Sequence, residues 1–156
     1  MDLYDCDLND YIMTKMKIDN LTLKIFCYQM IRSLLYLHSH QICHRDIKPN
    51  NFLVKKHLVV LTDFGSAKIM KNHKNSNVAY ICSRYYRAPE LTLGYKYYDK
   101  PVDIWSLGCV MAELSLGKPI FKGSNSLDQL VRIIRVIGQP NWRKISFMVD
   151  KIPNLP

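Results

Sequence analysis

A mainly α lobe with a few short β-strands is the architecture this sequence predicts, and three observations carry that expectation. Leu23, Phe26, Met30, Leu34 and Leu37 recur at three- and four-residue steps, the signature of a helix that packs one face on a core. Ile104, Trp105, Leu107, Val110, Met111 and Leu114 cover more than one face of a second helical stretch, which is the pattern of a buried helix. The strand-like runs are short, Phe52-Leu53-Val54 and Leu58 to Leu61, with Lys55-Lys56-His57 as the turn between them. The 156 residues suffice to bury one sizeable core.

The remaining elements follow in order. Met1 to Asp7 is apolar, then acidic, and reads as extended chain; Leu8 to Lys15 suits a short helix. Asp19 or Asn20 caps the next helix, which runs to about His40, because their short side chains accept the hydrogen bonds that the first turn's N–H groups leave open. Ile69 to Val78 is polar, with an almost unbroken run from Lys71 to Asn77, and reads as a mobile loop by composition. Pro89-Glu90 opens a short helix, and Asp99 to Pro101 starts the central one, Val102 to Leu116, ended by Gly117. Asp103 puts a charge in that helix's first turn, where the dipole favours it. Ser126 and Gln129 read as a capping-box pair for a helix through Ile137, stopped by Gly138 and Pro140. No internal repeat, low-complexity segment or linker interrupts this order.

Composition excludes several functions. The net charge of +9 comes from 22 basic and 13 acidic residues. The lysines are scattered and only two acids are Glu, a drift toward Lys, Asn and Ile more than a nucleic-acid surface, so no nucleic-acid partner is expected. Five cysteines without paired spacing argue against a disulfide framework and fit a reducing, intracellular compartment, cytoplasmic and/or nuclear. No signal-peptide pattern and no apolar run long enough to span a bilayer appears, so no membrane partner is expected. His38, His40, Cys43 and His44 crowd together, but zinc spacing fails: a continuous helix would be needed for His40 and His44 to face together, and no second ligand pair follows.

The stretch from His44 to Asn51, His-Arg-Asp-Ile-Lys-Pro-Asn-Asn, followed by Asp63-Phe64-Gly65, carries the chemistry. Asp46 can accept a proton or hydrogen bond from an attacking hydroxyl. Lys48 can reach the same place as a point charge. Asn51 and Asp63 offer hard oxygens suited to Mg²⁺. A carboxylate, a cation and two metal oxygens suit phosphoryl transfer, where the work is positioning and charge neutralisation.

These motifs, with Ala88-Pro89-Glu90 after them, resemble in residues, order and gaps the catalytic-loop, metal-loop and activation-segment signatures of eukaryotic protein kinases. One Asp-Phe-Gly turns up about once in several thousand random tripeptides; three linked motifs in order are far more specific. Asp63-Phe-Gly-Ser-Ala-Lys68 and the run from Tyr80 to Leu91 narrow the resemblance to the glycogen synthase kinase 3 (shaggy) branch of the CMGC group, over Met1 to about Pro140.

The resemblance implies a serine/threonine protein kinase that transfers the γ-phosphoryl group of ATP, with Mg²⁺, to protein substrates. Asp46 and Lys48 would be catalytic. Asp2, Tyr4, Lys48, Asn51, Leu53 and Asp63 would contact ATP, with Asp2 to Tyr4 at the hinge and Leu53 beneath the base; a plain buried strand residue is the other reading of Leu53. Asn51 and Asp63 would hold Mg²⁺. His44 would tie the catalytic loop to the metal loop, and Asp103 would reach back to the catalytic-loop backbone. Tyr80 stands where the branch carries a phosphotyrosine, which Arg84 and Arg87 would meet; a tyrosine packed on the core is the alternative. Arg45 and Lys68 resemble two members of a pocket for a substrate already phosphorylated four residues beyond its target hydroxyl; the third basic member would lie in the missing lobe, which leaves the pocket incomplete in these residues. Docking or scaffold proteins complete the implied partners.

Residues 1–156 then correspond to part of a kinase domain, hinge and C-terminal lobe. No Gly-x-Gly-x-x-Gly and no Val-Ala-x-Lys pattern occurs in them, so the N-terminal lobe is expected to be missing, along with the last helices. Glu90 would lack the arginine that it pairs with in such helices. The competing reading is a non-catalytic kinase-like scaffold or truncated gene product.

Overall fold

The computed structural model describes residues 3–15, 18–70, 77–139 and 141. Asp2, expected at the hinge, the polar run 71–76, the stop at Pro140 and the chain's final stretch lie outside them.

In chain order the elements are β1 (Cys6–Asp7), α1 (Leu8–Thr14), α2 (Asn20–Ser39), β2 (Ile42–Cys43), β3 (Phe52–Lys55), β4 (Leu58–Leu61), β5 (Lys68–Ile69), α3 (Pro89–Thr92), α4 (Pro101–Leu116) and α5 (Ser126–Ile137). Helices dominate and the strands are short, as the periodicities predict. Among the described residues no helix is long and apolar enough to cross a membrane.

Three helices start where a side chain satisfies their open N–H groups, whereas α3 and α4 open on Pro89 and Pro101 without a side-chain cap. Asp7 caps α1 by accepting from the Asp10 amide at 2.8 Å. Asp19 caps α2, accepting from Leu21 and Thr22 at 3.0 and 2.9 Å. The cap of α5 differs from the Ser126–Gln129 pair expected. Asn125 is the cap and accepts from the Asp128 amide. Gln129 points inward, fully buried, where its Oε1 accepts from the Gly123 amide. Both pairs have capping spacing, and only the burial of Gln129 separates them. Gly117 ends α4 with φ of 70°, a left-handed conformation that a side chain would oppose.

The core lies between α2, α4 and one face of the sheet. Phe26, Met30 and Leu34 of α2 meet Leu107, Val110 and Leu114 of α4, with Phe52 and Val54 beneath and Ile133 of α5 beside them. Each such side chain, fully buried, contributes roughly 1.5–3 kcal/mol. The sheet runs β1-β3-β4, antiparallel throughout, with Leu53 opposite both Asp7 and Val60. Strand alternation sends Phe52 and Val54 to the core and leaves Leu53 half-buried on the other face.

The breadth of apolar residues on α4 predicts a helix buried all round, and α4 departs from this on one side. Its Leu107, Val110 and Leu114 are buried, Trp105 and Met111 partly so, and Ile104 is 55 % exposed. On the buried side it holds Asp103, Ser106 and Glu113, polar groups that each have a partner. That side joins α4 to the catalytic loop.

Candidate active site

The loop from His44 to Asn51 hangs between β2 and β3, and Asp103 fixes its start. Fully buried in the first turn of α4, Asp103 accepts from the His44 amide at 2.7 Å and the Arg45 amide at 2.8 Å. His38 at the end of α2 adds its Nε2 at 3.0 Å. These bonds hold Arg45 at φ of 69°, a conformation that costs a non-glycine residue of order 1 kcal/mol and is kept by its surroundings. Asp63 and Cys82 adopt the same left-handed region nearby. Cys82 returns to the loop, its N–H donating to the Arg45 carbonyl at 3.1 Å.

His44 ties this loop to the next one. Its Nε2–H donates to the Thr62 carbonyl at 3.0 Å, and its Nδ1 accepts from the Asp46 amide at 3.3 Å, so the bonding network sets the tautomer. The Thr62 amide donates to the Asn51 carbonyl at 2.9 Å. The two bonds set Asp63 beside the end of the catalytic loop.

Asp46 is the point of convergence. Lys48 Nζ donates to its Oδ2 at 2.7 Å, and Asn51 Nδ2 donates to the same oxygen at 3.2 Å. Ser83 donates to Oδ1 from both its amide and its hydroxyl, each at 3.2 Å. Burial pulls the Asp46 carboxyl upward, but the Lys48 hydrogen bond and charge, with Ser83 and Asn51, outweigh it and hold the group below its ordinary value. The carboxylate is therefore ionised at neutral pH.

The donor set fits Mg²⁺. Asn51 commits its Nδ2 to the Asp46 carbonyl at 2.8 Å, which turns its carbonyl Oδ1 the other way. Asp63 is exposed, with Oδ1 only loosely engaged by the Gly65 amide at 3.3 Å. Two hard oxygens on adjoining loops, with Asn51 buried and Asp63 exposed, suit an ion that keeps most of its water. Phe64, next to Asp63, is 49 % exposed and meets the His44 ring edge-on at 5.2 Å. Tyr4 and Leu53, assigned to the nucleotide, stand half-buried near the sheet. The Asp5 amide donates to the Val54 carbonyl, which keeps the segment after Tyr4 along β3.

Two cavities flank the loop. One, of about 550 Å³, opens beside Lys48, Asn51 and Ser83 and is closed by Tyr86 and Glu113. The Tyr86 hydroxyl donates to Glu113 at 2.7 Å, and burial pushes that carboxyl upward. The other, of about 850 Å³, is lined by Arg45, Lys68, Tyr80, Arg87 and Lys96. Arg45 and Lys68 meet there because β2 pairs with β5, Cys43 opposite Lys68. Tyr80 is 76 % exposed, so the core-packed alternative fails, and the Arg87 guanidinium lies 4.4 Å from its ring centre. Hydrogen bonding by Arg87, then its charge, then Arg84 in the same two ways, lower the Tyr80 hydroxyl's pKa.

Ser83 is the site residue that sequence reasoning missed. It lies 37 residues from Asp46, in a motif whose neighbours drew the reading, and nothing in its spacing marks it.

Comparison with known proteins bears on this geometry. The family model described as the protein kinase domain matches residues 1–154. Protein kinase gsk31 of Schizosaccharomyces pombe is 50% identical over 144 residues, covering 91% of this chain and 38% of that protein. Protein kinase gsk3 of the same yeast is 51% identical over 140 residues, covering 88% of this chain and 36% of the relative. Glycogen synthase kinase 1 of Pyricularia oryzae is 50% identical over 142 residues, with 86% and 36% covered. The chain thus spans little more than a third of the length of the curated relatives it matches.

Proposed function

Since this chain belongs to the protein kinase family, we propose that it is the catalytic lobe of an ATP-dependent serine/threonine kinase of the glycogen synthase kinase type. The observation that carries the reading is the convergence of Lys48, Asn51 and Ser83 on the Asp46 carboxylate, with Asp63 on the adjoining loop.

In the reaction, the substrate hydroxyl oxygen bonds to the γ-phosphorus of ATP as the bond to the bridging oxygen breaks and ADP leaves. Asp46 orients that hydroxyl and takes its proton. Its low basicity suits proton transfer late in a loose transition state, where orientation matters more than early deprotonation. Lys48, already at Asp46, shifts to the moving phosphoryl group and neutralises it. Mg²⁺ held by Asn51 and Asp63 would supply charge neutralisation on the phosphates. Tyr4 and Leu53 would contact the base.

The phosphates also need contacts that this sequence lacks, a glycine-rich loop and a strand lysine. A small lobe covering the half-exposed Phe64 would provide them. Arg45 and Lys68 support a preference for substrates that already carry a phosphate, and Tyr80 with Arg84 and Arg87 a regulatory phosphotyrosine.

The test joins this chain to a kinase small lobe and compares it with its Asp46→Asn variant. The substitution keeps shape and removes basicity, so phosphorylation of a protein substrate should fall about 10²–10⁴-fold with unchanged nucleotide affinity. Activity within a few-fold of the parent removes Asp46 from the mechanism. A parent that binds protein partners but turns over nothing favours the scaffold reading.

A further inference from the structure

The cavity of about 550 Å³ beside Lys48 and Ser83 holds a charge that the reaction does not use. Its closed end is Glu113 of α4, only 4 % exposed, whose Oε2 accepts from the Tyr86 hydroxyl at 2.7 Å. Its Oε1 has no described partner, and among the described residues no cation pairs with this carboxyl. Burial raises its pKa, and the Tyr86 bond offsets only part of that. A carboxyl so placed gains from a cation that brings its own donors. Two lysines line the same cavity, but Lys48 is engaged by Asp46 at 2.7 Å and Lys122 is exposed.

The mouth of the cavity is acidic too. Asn50 lines it and donates its Nδ2 to Asp7 Oδ2 at 3.1 Å, which sets the Asp7 carboxylate at the rim. Burial first, then Asp10, Asp5 and Asp7, push the neighbouring Cys6 thiol upward, the mark of a negative field in a chain whose net charge is +9. Between mouth and end, Met13 and Tyr85 offer apolar surface along which a long side chain with a charged tip can lie.

The place of the cavity decides which part of a substrate reaches it. Lys48 and Ser83 both touch Asp46 and both border the cavity, so its opening adjoins the target hydroxyl. It shares no lining residue with the cavity of Arg45 and Lys68, and Asp46 stands between Arg45 of one and Lys48 of the other along the loop. A substrate whose phosphate, beyond the target, enters the Arg45 side therefore sends the residues before the target toward Glu113. Extended chain advances about 3.3 Å per residue, so a side chain two or three residues before the target meets the opening.

We propose that this cavity receives an arginine or lysine side chain of the substrate, two or three residues before the target hydroxyl, with Glu113 as the counter-charge at its end and Asp7 at its mouth. The proposal deepens the kinase reading, and its direction rests on the reading that Arg45 and Lys68 take a substrate phosphate. Glu113 thereby sets substrate choice without touching the reacting atoms.

The experiment measures fluorescence anisotropy of matched phosphopeptides on the chain, with arginine, its neutral isostere citrulline or glutamate at each of the four positions before the target serine, and the same set without the phosphate. Arginine two or three residues before the target should tighten binding roughly tenfold over citrulline, and glutamate should weaken it. Glu113→Gln keeps an acceptor for Tyr86 and removes the charge, so it should erase most of the arginine preference and leave the phosphate preference intact. Asp7→Asn keeps the α1 cap and should reduce the arginine preference about two- to threefold. Coincident thermal melts exclude unfolding as the cause, and the peptide series on the unsubstituted chain decides the matter if Glu113→Gln does not fold. Equal affinity for arginine and citrulline at every position overturns the proposal, and a phosphate preference kept in that series leaves the kinase reading standing. An arginine preference that survives intact in Glu113→Gln overturns the role of Glu113. An arginine preference without a phosphate preference supports the cavity's role and overturns the phosphate reading alone.

Discussion

The catalytic loop and the cavity wall of residues 77–98 share Arg45, yet they treat charge in opposite ways. At the loop, Asp46 meets Lys48, Asn51 and Ser83, and Asp103 meets two backbone amides and His38. At the wall, Arg45 and Lys68 rest on a carbonyl, a hydroxyl and an amide. Glu90, at the start of α3, is the mirror case: burial pushes its carboxyl upward, and no described cation pairs with it. Paired charges fix a geometry. Like charges held together by neutral bonds cost stability, and a site keeps them where a ligand brings the counter-charge.

The strongest way to break this contrast is Asp103→Ala. It orphans two buried amides and releases Arg45 from its left-handed conformation, so denaturant unfolding should show a loss of about 3–5 kcal/mol. A loss under about 1 kcal/mol would mean that the loop is held by something else.

Asp46 sharpens the contrast through pH. Its folded-state pKa lies below the ordinary value, so its contribution is present above the unfolded carboxylate range, near 3.9, and is lost as pH falls through the folded pKa. Asp46→Asn should cost about 1 kcal/mol at pH 7 and progressively less in acid, read from urea midpoints across pH. A cost that grows in acid would reverse the assigned direction.

Glu90 has the opposite sign. Its folded pKa is raised, so the stability tied to its protonated form is complete below the ordinary glutamate value, about 4.3, and is lost as pH rises through the folded pKa. Glu90→Gln should therefore raise the melting point at pH 7, by a gain of up to about 1 kcal/mol, and change nothing at acid pH. Destabilisation at pH 7 would reveal a partner for the carboxylate.

The smallest effect concerns the wall. Lys68→Gln should leave stability within about 0.5 kcal/mol, on the side of a gain at low salt, since the change relieves repulsion. A clear loss would show that this lysine supports the fold.

Helices were legible where apolar spacing and caps agreed, as for Asp19 before Phe26, Met30 and Leu34. They were misread where two caps had the same spacing, as at Asn125 and Ser126, because burial of Gln129 decides the matter from outside the helix. The open side of α4 at Ile104 was likewise invisible, since apolar character records what a face tolerates and says nothing of what covers it.

By itself the sequence determined which groups lie close along the chain: His44 to Asn51 and Asp63-Phe64-Gly65 bring two carboxylates, a cation and an amide oxygen within short stretches, because local spacing limits which groups can reach one point. Only the tertiary structure decided which distant residues complete the site. Ser83 joins Asp46 across 37 residues, and Asp103 holds Arg45 across 58. Lys68 reaches the cavity of Arg45 through the β2–β5 pairing. Such contacts depend on where packed elements come to rest, and side-chain burial sets that position only once the whole core has formed.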